Sequence, residues 1–364
     1  MNYYEGELDA LRRSGRLRSR EVVDLSLRDF ASNDYLGLAS RSDLHQSACS
    51  KLETLRDKSP KASMLVGGYH SVHREFEHSL CRANGFEDGV MLGSGFNANI
   101  ALIEALVRKS DELFMDEAYH ASGVLASRLS GIKCTFFAHN DPDALEDLLK
   151  NSTAKRRIVA VEGIYSMDGD MLKREFFELC KKYDAIMIVD EAHSSGVVGS
   201  KLMGVYDHYG IKVELNHIKM GTLGKAYGSF GAYILASNHI IEYLINRAKA
   251  IIYATSLSLY DTILAHCSLE YILAKRDDLR REIALNQRVI KEELGISADG
   301  LIVPIVVGDN RRVLAIKEEL ARSGYAIGAI REPTVPRAII RLIARLGHSE
   351  DELRELCQKL AKML

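Results

Sequence analysis

The chain has 364 residues, of which 47% are hydrophobic and 27% are charged, and it carries a net charge of −2. A chain of this length exceeds a single small core, so we expect one large domain with a smaller one attached. The charge balance provides no basic surplus, and no segment approaches the roughly 18 apolar residues of a membrane span. We therefore expect neither nucleic acid nor a membrane among its partners.

Six cysteines lie far apart in the sequence, without a C-x-x-C pair or another disulfide pattern. The N-terminal residues lack the positively charged start and apolar run of a secretory signal. Reduced thiols and the lack of an export signal predict a cytoplasmic protein.

The order of apolar runs and helical patterns predicts three segments. Residues 1–38 form an N-terminal arm that ends in a polar turn at residues 33–37. Residues 39–270 alternate short apolar runs with longer helical patterns, as βα units around a mostly parallel sheet do. Residues 271–364 form a smaller C-terminal α+β domain.

A glycine-rich turn at residues 93–97 precedes a helix predicted over residues 98–107. The main-chain N–H groups and the positive end of the helix dipole would suit a phosphate there. Because glycine-rich turns before helices are common, this pattern alone does not establish a phosphate site.

Three apolar runs farther along the chain are typical of strands buried on both faces of a parallel sheet. They cover residues 158–161, 185–189 and 218–220. Each run ends abruptly in polar or glycine-rich sequence, and open α/β sheets hold ligands beyond the carboxyl ends of their strands. The side chains predicted to line one crevice are Ser166, Asp190, His193 and Lys225.

Two of these side chains indicate a particular chemistry. Lys225 stands among four glycines in residues 221–231, which would let the backbone approach a bound group, and an amine there can serve as nucleophile or base. Asp190 could simply cap the following helix, or its charge could raise the pKa of a pyridinium nitrogen by roughly 1 to 3 units. The pair favours a pyridine cofactor that serves as an electron sink. His120 alone is as typical of a buried histidine as of a ring stacked on a cofactor.

The C-terminal domain is predicted from a charged helix over residues 273–294, a strand over 301–307 and a helix over 312–323. A final strand and helix follow. Mixed elements in this order are typical of an α+β unit.

Residues 190–193 also spell the DEAH motif of some helicases, in which an acidic pair serves Mg²⁺ and ATP hydrolysis. A P-loop should precede such a motif. Around Lys225 the P-loop pattern fails, because Lys219 occupies its first glycine position and Ala226 follows the lysine. The sequence therefore disfavours an NTPase.

Three histidines close together, His70, His73 and His78, resemble a metal-binding cluster. They lack cysteine or acidic partners at the tight spacing that zinc sites use. We therefore expect no metal.

Seven segments with recognisable motifs follow one another between about residue 30 and residue 256. They are SNDYLGL at 32–38, VGGYHSVHREFE at 66–77, Gly95-Phe96, His120-Ala121-Ser122, EGIYSMDGD at 162–170, VDEAH at 189–193 and GTLGKAYGSFGA at 221–232. In this order they resemble the α-oxoamine synthase family of pyridoxal-phosphate enzymes. The resemblance implies a fold-type I transferase with a large, mostly parallel sheet, pyridoxal 5′-phosphate (PLP) as cofactor, and a homodimer with its active sites at the subunit interface.

The resemblance also implies roles for individual residues. Lys225 would bind the cofactor covalently, Asp190 would hold its pyridine nitrogen, and His120 would stack on its ring. The residues near the phenolic oxygen would be His193 and Ser166. Those at the phosphate would be Ser94, Gly95, Phe96 and Thr222, together with Thr255 and Ser256 from the neighbouring subunit. The residues that contact substrates would be Arg12, Asn33, Thr334 and Arg341.

The family joins an amino acid to an acyl thioester with loss of CO2. The forms of the motifs favour L-alanine with a pimeloyl thioester, as in biotin biosynthesis, with Arg12 at the distal carboxylate of the pimeloyl group. The thiol is either CoA or acyl carrier protein. The alternatives are the siblings that use glycine or serine, namely 2-amino-3-ketobutyrate ligase, 5-aminolevulinate synthase and serine palmitoyltransferase, and more remotely a PLP transaminase.

One motif departs from the family. Its members usually have R-x-R after a PPTVP-like segment, and the second arginine binds the amino-acid carboxylate. Here Arg341 is followed by Ile343 at that second position. Either Arg341 or Arg345 could take its place.

Overall fold

The computed structural model describes residues 3–364, which form two compact units. The larger unit consists of Leu36–Ser166 and Asp170–Arg281. The smaller unit consists of the described residues up to Tyr35, Met167–Gly169 and Glu282–Leu364. The described residues of the N-terminal arm up to Tyr35 thus belong to the same unit as Glu282–Leu364, and residues 36–38 belong to the larger unit.

The strands are, in chain order, β1 Arg28–Phe30, β2 Asp88–Leu92, β3 Glu112–Asp116, β4 Cys134–Phe137, β5 Arg157–Glu162, β6 Ile186–Asp190, β7 His217–Thr222, β8 Ala232–Ala236, β9 Ile302–Val306, β10 Tyr325–Ile330 and β11 Ile339–Ile343. The helices are α1 Glu5–Arg13, α2 Ser42–Thr54, α3 Ser71–Asn84, α4 Gly95–Leu106, α5 Ala121–Ser130, α6 Pro142–Asn151, α7 Glu175–Lys182, α8 Val205–His208, α9 Asn238–Arg247, α10 Lys249–Ile252, α11 Leu259–Leu294, α12 Asn310–Arg322 and α13 Glu350–Ala361. Within residues 3–364, no helix combines the length and the apolar character needed to cross a membrane.

In the larger unit, seven strands form one sheet in the order β2-β8-β7-β6-β5-β3-β4. β8 is antiparallel to both neighbours, and the other strand pairs are parallel. The central strands β5 and β6 are buried almost throughout, as their continuous apolar sequences require. The predicted parallel sheet is therefore confirmed, and the runs at residues 158–161, 185–189 and 218–220 are its strands β5, β6 and β7.

The carboxyl ends of these strands bring polar residues to one edge of the sheet. In the strand register, Glu162 at the end of β5 pairs with Asp190 at the end of β6, and Asp190 pairs with Met220 of β7. The neighbouring strand ends therefore place two carboxyl groups and the β7–β8 connection beside each other, as the alternation of strands and polar ends predicts.

In the smaller unit, four strands form a sheet in the order β1-β10-β11-β9. β1, from the N-terminal arm, pairs in parallel with β10, and the other two pairs are antiparallel. The sequence predicted one strand after α12, whereas the structure has two, β10 and β11. The intervening segment contains Pro333 and Pro336, which lack a backbone N–H and favour a break between strands.

The long helix α11 begins at Leu259, 14 residues before the predicted start at residue 273. Its first part is rich in buried apolar side chains, among them Leu259, Ile263 and Leu264. The charged pattern used for the prediction marks only the later, more exposed part, because a buried helical segment lacks an obvious polar face.

Candidate active site

A cavity of about 210 Å³ lies at the carboxyl ends of β5, β6 and β7 in the larger unit. Seven of the residues singled out in the sequence line it: Gly95, Phe96, His120, Asp190, His193, Thr222 and Lys225. Asn99 and Glu162 line it as well, although neither was predicted as a site residue. Ser166 is buried beside the cavity and donates its backbone N–H to Glu162 Oε2 over 3.1 Å.

Lys225 lies in the connection between β7 and β8. Its Nζ is 2.8 Å from Nε2 of His193, a hydrogen-bond distance. The connection is closed by main-chain hydrogen bonds, from Leu223 N to Gly231 O and from Gly228 N to Lys225 O. The lysine amine and the imidazole therefore form one polar pair at the cavity.

Two of the glycines around Lys225, Gly221 and Gly228, make room for the protein's own packing. A Cβ at Gly221 would lie 2.3 Å from a ring carbon of Tyr233. A Cβ at Gly228, where φ is +58°, would lie 2.4 Å from the backbone nitrogen of Ala39. This physical reason for the glycines differs from the close approach to a bound group that the sequence suggested.

The carboxylate of Asp190 is fixed on both oxygens. Oδ1 accepts from the backbone N–H of Ala192 over 3.0 Å, and Oδ2 accepts from Asn99 Nδ2 over 3.0 Å. The side chain is buried. Both contacts suit the charged form of the carboxyl, so the group presents a defined negative charge to the cavity.

His120 precedes α5 and caps it. Its Nδ1 accepts from the backbone N–H of Ser122 over 3.3 Å and is 2.7 Å from the Ser122 hydroxyl. Burial lowers the pKa of His120, and Asp190 opposes that effect. The ring is thus a neutral imidazole with its Nδ1 occupied and its position set by the start of the helix.

The N-terminus of α4 opens on the cavity. Ser94 is its N-cap, and the Ser94 hydroxyl accepts from Asn97 N over 3.2 Å. The first N–H groups of a helix, here at Gly95 and Phe96, have no partner within the helix, and the helix dipole favours an anion at that end. Thr222 lines the same cavity and donates its hydroxyl to Gly231 O over 3.0 Å. This end of the cavity has the donors that a phosphate needs.

Glu162, which the sequence interpretation missed, is a buried acid at the cavity. Among the described residues, its Oε1 is buried without a hydrogen-bond partner. Burial, followed by the charge of Asp190, raises the pKa of Glu162 well above its usual range. Glu162 begins the EGIYSMDGD segment and ends β5, so it carries the same sequence signal, a polar residue at the end of a buried strand, that marks Asp190.

A second polar cluster fixes the segment that contains Ser166. His139 Nδ1 is 3.2 Å from Asp116 and its Nε2 is 3.1 Å from Asp170, while Tyr165 donates its hydroxyl to Asp116 over 2.7 Å. Burial by itself lowers the pKa of His139, but the hydrogen bonds to the two carboxylates outweigh it and raise the pKa to about 10. His139 is therefore a cation that holds Asp170 to the end of β3.

This cluster predicts a pH dependence of stability. Because the folded-state pKa of His139 is raised above the unfolded value of about 6.5, its contribution is complete below pH 6.5 and is lost as the pH rises towards 10. The difference in free energy of unfolding between wild type and His139→Gln should shrink by up to about 1.4 kcal/mol per pH unit in that window, less solvent screening. Denaturant unfolding between about pH 6 and 10 measures it, with the exposed His208→Gln as control. A difference that grows with pH would contradict the assignment.

The two acidic residues of the DEAH segment have separate environments. Asp190 lines the cavity, whereas Glu191 is buried beneath it and accepts from Val205 N over 2.9 Å. Glu191 also lies 3.6 Å from the ammonium of Lys219, and both side chains are fully buried. Asp190 faces the cavity, whereas Glu191 binds groups in the core, so the two carboxylates do not form a joint site for Mg²⁺.

Of the histidines considered as a metal cluster, His73 has both ring nitrogens within hydrogen-bond distance of protein groups. His73 Nδ1 accepts from the backbone N–H of His70 over 3.0 Å, and its Nε2 is 2.8 Å from Leu257 O. Within residues 3–364, no group of three or more His, Cys, Asp or Glu side chains is arranged to hold a metal ion.

Thr255 and Ser256 are not among the residues that line the cavity of this chain. Thr255 is exposed and forms an isolated β-bridge with Ser63, and Ser256 N donates to Ala62 O over 3.0 Å. The segment is therefore fixed to residues 62–63 and leaves Thr255 at the surface.

The four predicted substrate residues lie in the smaller unit. Arg341 Nη1 donates to Asn33 Oδ1 over 2.9 Å, and Arg18 donates to the Thr334 hydroxyl over 3.0 Å. Arg12 is about half exposed and pairs with Asp9 on the same helix over 2.5 Å. The structure thus brings Asn33 and Arg341 together and places Arg12 on a solvated helix face.

Residues 27–360 match the family described as aminotransferase class I and II. An 8-amino-7-oxononanoate synthase from Helicobacter pylori is 41% identical over 359 residues, which cover 98% of this chain and 96% of that protein. The structure of 8-amino-7-oxononanoate synthase from Francisella tularensis superposes with a TM-score of 0.76 at 26% identity, covering 93% of this chain and 99% of that chain.

A solved serine palmitoyltransferase from S. paucimobilis, with a bound PLP–myriocin aldimine, superposes with a TM-score of 0.89. It is 22% identical and covers 99% of this chain and 96% of that chain. This likeness shows that the two chains share a fold.

Proposed function

This chain belongs to the aminotransferase class I and II family, and we propose that it performs, with PLP, the reaction of the 8-amino-7-oxononanoate synthases. L-alanine and a pimeloyl thioester give 8-amino-7-oxononanoate, CO2 and free thiol, a step of biotin biosynthesis. The observation that carries the proposal is the cluster of Lys225, His193 and Asp190 at one cavity. The full-length identity to synthases of that name supports the choice of substrates.

The residues of the cavity fit PLP at three places. The carboxylate of Asp190, already fixed by two donors, suits a protonated pyridine nitrogen. The N-terminus of α4 and Thr222 suit the phosphate. Oε1 of Glu162 is buried without a hydrogen-bond partner in the described part of the chain, and a polar group of the bound cofactor could supply one. Bound there, PLP supplies an electron sink for the bond that breaks at the amino-acid Cα.

Lys225 would hold the cofactor covalently, and its amine at the cavity is placed to take the Cα proton of the amino acid and later to return a proton. His193 Nε2, 2.8 Å away, can accept a proton from the lysine amine and return it. Burial and the charge of Asp190 raise the pKa of Glu162, which favours the neutral form of this acid beside Asp190. His120, held by the start of α5 at the cavity, would stack on the ring of the bound cofactor and keep the reacting bond in its orientation.

Arg341 is the arginine that binds the carboxylate of alanine, and Asn33 supports it. Arg345 is already matched by two carboxylates, Asp29 at 2.6 Å and Asp34 at 2.7 Å. Because these two carboxylates already neutralise the charge of Arg345, Arg341 is the better candidate for the arginine that binds the carboxylate of alanine. Arg12 would have to exchange Asp9 for the distal carboxylate of the pimeloyl group.

Replacing Arg341 by alanine should raise the KM for alanine roughly 10- to 100-fold, because a charge-assisted hydrogen bond contributes about 1.5–3 kcal/mol. The KM for the pimeloyl thioester should change little. Steady-state kinetics with each substrate varied in turn measures both, with Arg345→Ala as the matched variant, which should lower stability without a selective effect on alanine. A selective rise of the alanine KM in Arg345→Ala, and none in Arg341→Ala, would reverse the assignment.

We also propose that the chain acts as a homodimer in the cytoplasm. Tyr253 and Val66 are each 79% exposed, and they lie near the bridge between Ser63 and Thr255. Large exposed apolar side chains are typical of interaction surfaces. In this arrangement Thr255 and Ser256 serve the phosphate of the neighbouring subunit. The described cysteines are all free, as suits a reducing compartment.

The function is tested by a thiol-release screen of the purified protein with PLP. L-alanine, glycine and L-serine are each paired with pimeloyl, acetyl, succinyl and palmitoyl thioesters, on CoA and on acyl carrier protein. The proposal expects the fastest thiol release with L-alanine and a pimeloyl thioester, and the comparison of carriers identifies the natural thiol. Faster release with glycine or serine would assign a sibling activity, and exchange of nitrogen with a keto acid without thiol release would assign a transaminase.

A further inference from the structure

Asn99 lies on α4 and is almost completely buried at the wall of the cavity. Its Nδ2 donates to Asp190 Oδ2 and to Ser122 Oγ, each over 3.0 Å. Its Oδ1 accepts from the Tyr119 hydroxyl over 2.7 Å. Both N–H groups of the Asn99 amide therefore donate hydrogen bonds, and one of them stabilises the Asp190 carboxylate at the end of β6.

The contacts fix the orientation of this amide. Burial raises the pKa of Tyr119 well above its usual range, so Tyr119 is a neutral hydroxyl that can donate. Rotating the amide by 180° would turn Asn99 Oδ1 towards the Asp190 carboxylate and leave two acceptors facing each other. The amide can therefore satisfy its neighbours in one way only.

The hydrogen bonds continue from Asn99 to His120. Ser122 Oγ accepts from Asn99, and the Ser122 hydroxyl lies 2.7 Å from His120 Nδ1. Because His120 Nδ1 also accepts from Ser122 N, it is an acceptor, and the ring proton of the neutral imidazole is on Nε2. A single amide thus connects Asp190, at the end of β6, with His120, at the start of α5.

We propose that Asn99 is a positioning residue that sets Asp190 and His120 in one fixed relation to the cofactor. It holds the Asp190 carboxylate in place for the pyridine nitrogen and, through Ser122, holds the His120 ring in the orientation needed to stack. The inference rests on the proposed function, because the groups that Asn99 positions act on PLP. A buried amide whose hydrogen-bond partners are all satisfied fixes the positions of those partners more strictly than an apolar side chain of similar size would.

The first test is the isosteric variant Asn99→Asp, with PLP affinity as the readout. At about pH 8 the introduced carboxylate cannot donate and repels Asp190, so the dissociation constant for PLP should rise at least about 10- to 100-fold over wild type. As the pH falls towards about 6, the introduced carboxyl gains a proton, can donate again, and the ratio to wild type should fall. Titration of the apoprotein with PLP, followed by visible absorbance, gives both ratios. Asn246→Asp on the exposed side of α9 is the control, with a ratio near one at both pH values.

The second test compares Asn99→Ala in two backgrounds. If Asn99 acts through the charge of Asp190, the variant weakens PLP binding roughly 10- to 100-fold in wild type but only a few-fold in Asp190→Asn, where the charge is gone. A side chain that only maintained the fold would cost the same in both backgrounds. Circular dichroism of the apoprotein shows whether Asn99→Asp folds at the higher pH. If it does not, the comparison of Asn99→Ala in the two backgrounds still tests the role of Asn99.

The outcomes separate this inference from the proposed function. Wild-type protein that does not bind PLP would overturn both. Wild-type protein that binds PLP, with equal losses for Asn99→Ala in the two backgrounds, would overturn the role of Asn99 alone. Unequal losses, with recovery of Asn99→Asp at low pH, support it.

Discussion

The Lys225→Ala variant should be folded, should still bind PLP, and should turn over at least about 10³-fold more slowly than wild type. The variant lacks the amine that binds the cofactor and the base that takes the Cα proton, and loss of general acid–base catalysis alone costs roughly 10²–10⁴-fold. Its neighbour His193 keeps its own position on the loop after β6, so the cavity retains its other groups. Added methylamine should restore part of the lost rate, because a small amine can occupy the space left by the side chain.

The control for this variant is Lys212→Ala, since the Lys212 side chain is exposed and belongs to another part of the larger unit. Its kcat should equal that of wild type. Borohydride reduction of the wild-type holoenzyme, followed by peptide mapping, should place the pyridoxyl label on Lys225. A label on a different lysine, or wild-type turnover in Lys225→Ala, would contradict the assignment of Lys225 as the lysine that binds the cofactor.

Replacing Asp190 by asparagine should lower kcat about 10- to 1,000-fold while the variant still binds PLP. A carboxylate in contact with a pyridinium nitrogen raises the pKa of that nitrogen by roughly 1 to 3 units, which corresponds to about 1.4–4 kcal/mol. The structure adds a second cause. Both Asp190 oxygens accept from donors, so the NH2 group of an asparagine would face either Ala192 N–H or the amide of Asn99.

Steady-state kinetics and PLP titration measure the two effects of Asp190→Asn separately. Asp147→Asn is a suitable control because the Asp147 side chain is 80% exposed on α6. The control should be indistinguishable from wild type in both measurements. If Asp190→Asn kept near-wild-type kcat, Asp190 could not be the group that makes the cofactor an electron sink.

The sequence predicted best what depends on neighbours along the chain. The apolar runs of β5, β6 and β7 mark buried parallel strands, and the polar residue at the end of each run marks the ligand edge of the sheet. Since all carboxyl ends of parallel strands meet at one edge, Asp190 and Lys225 could be placed together without knowing a single contact.

What the sequence did not predict depends on contacts between distant segments. Asn99 stands in an apolar helical run and has no local feature that marks it, and its importance is evident only when β6 and α5 bring Asp190 and Ser122 to it. The choice between Arg341 and Arg345 likewise required the positions of two carboxylates from the N-terminal arm. A glycine-rich turn does not reveal whether its glycines face a ligand or the protein's own side chains.

The fate of the carboxyl carbon of alanine tests the proposed decarboxylative condensation. The purified protein with PLP is incubated with L-alanine labelled with ¹³C at the carboxyl and with a pimeloyl thioester, and labelled CO2, free thiol and 8-amino-7-oxononanoate are measured together by mass spectrometry and a thiol assay. The three products should appear in equal amounts, and the amino ketone should contain no label. Thiol-free conversion of alanine to labelled pyruvate, or an acylated product that retains the labelled carboxyl, would contradict it.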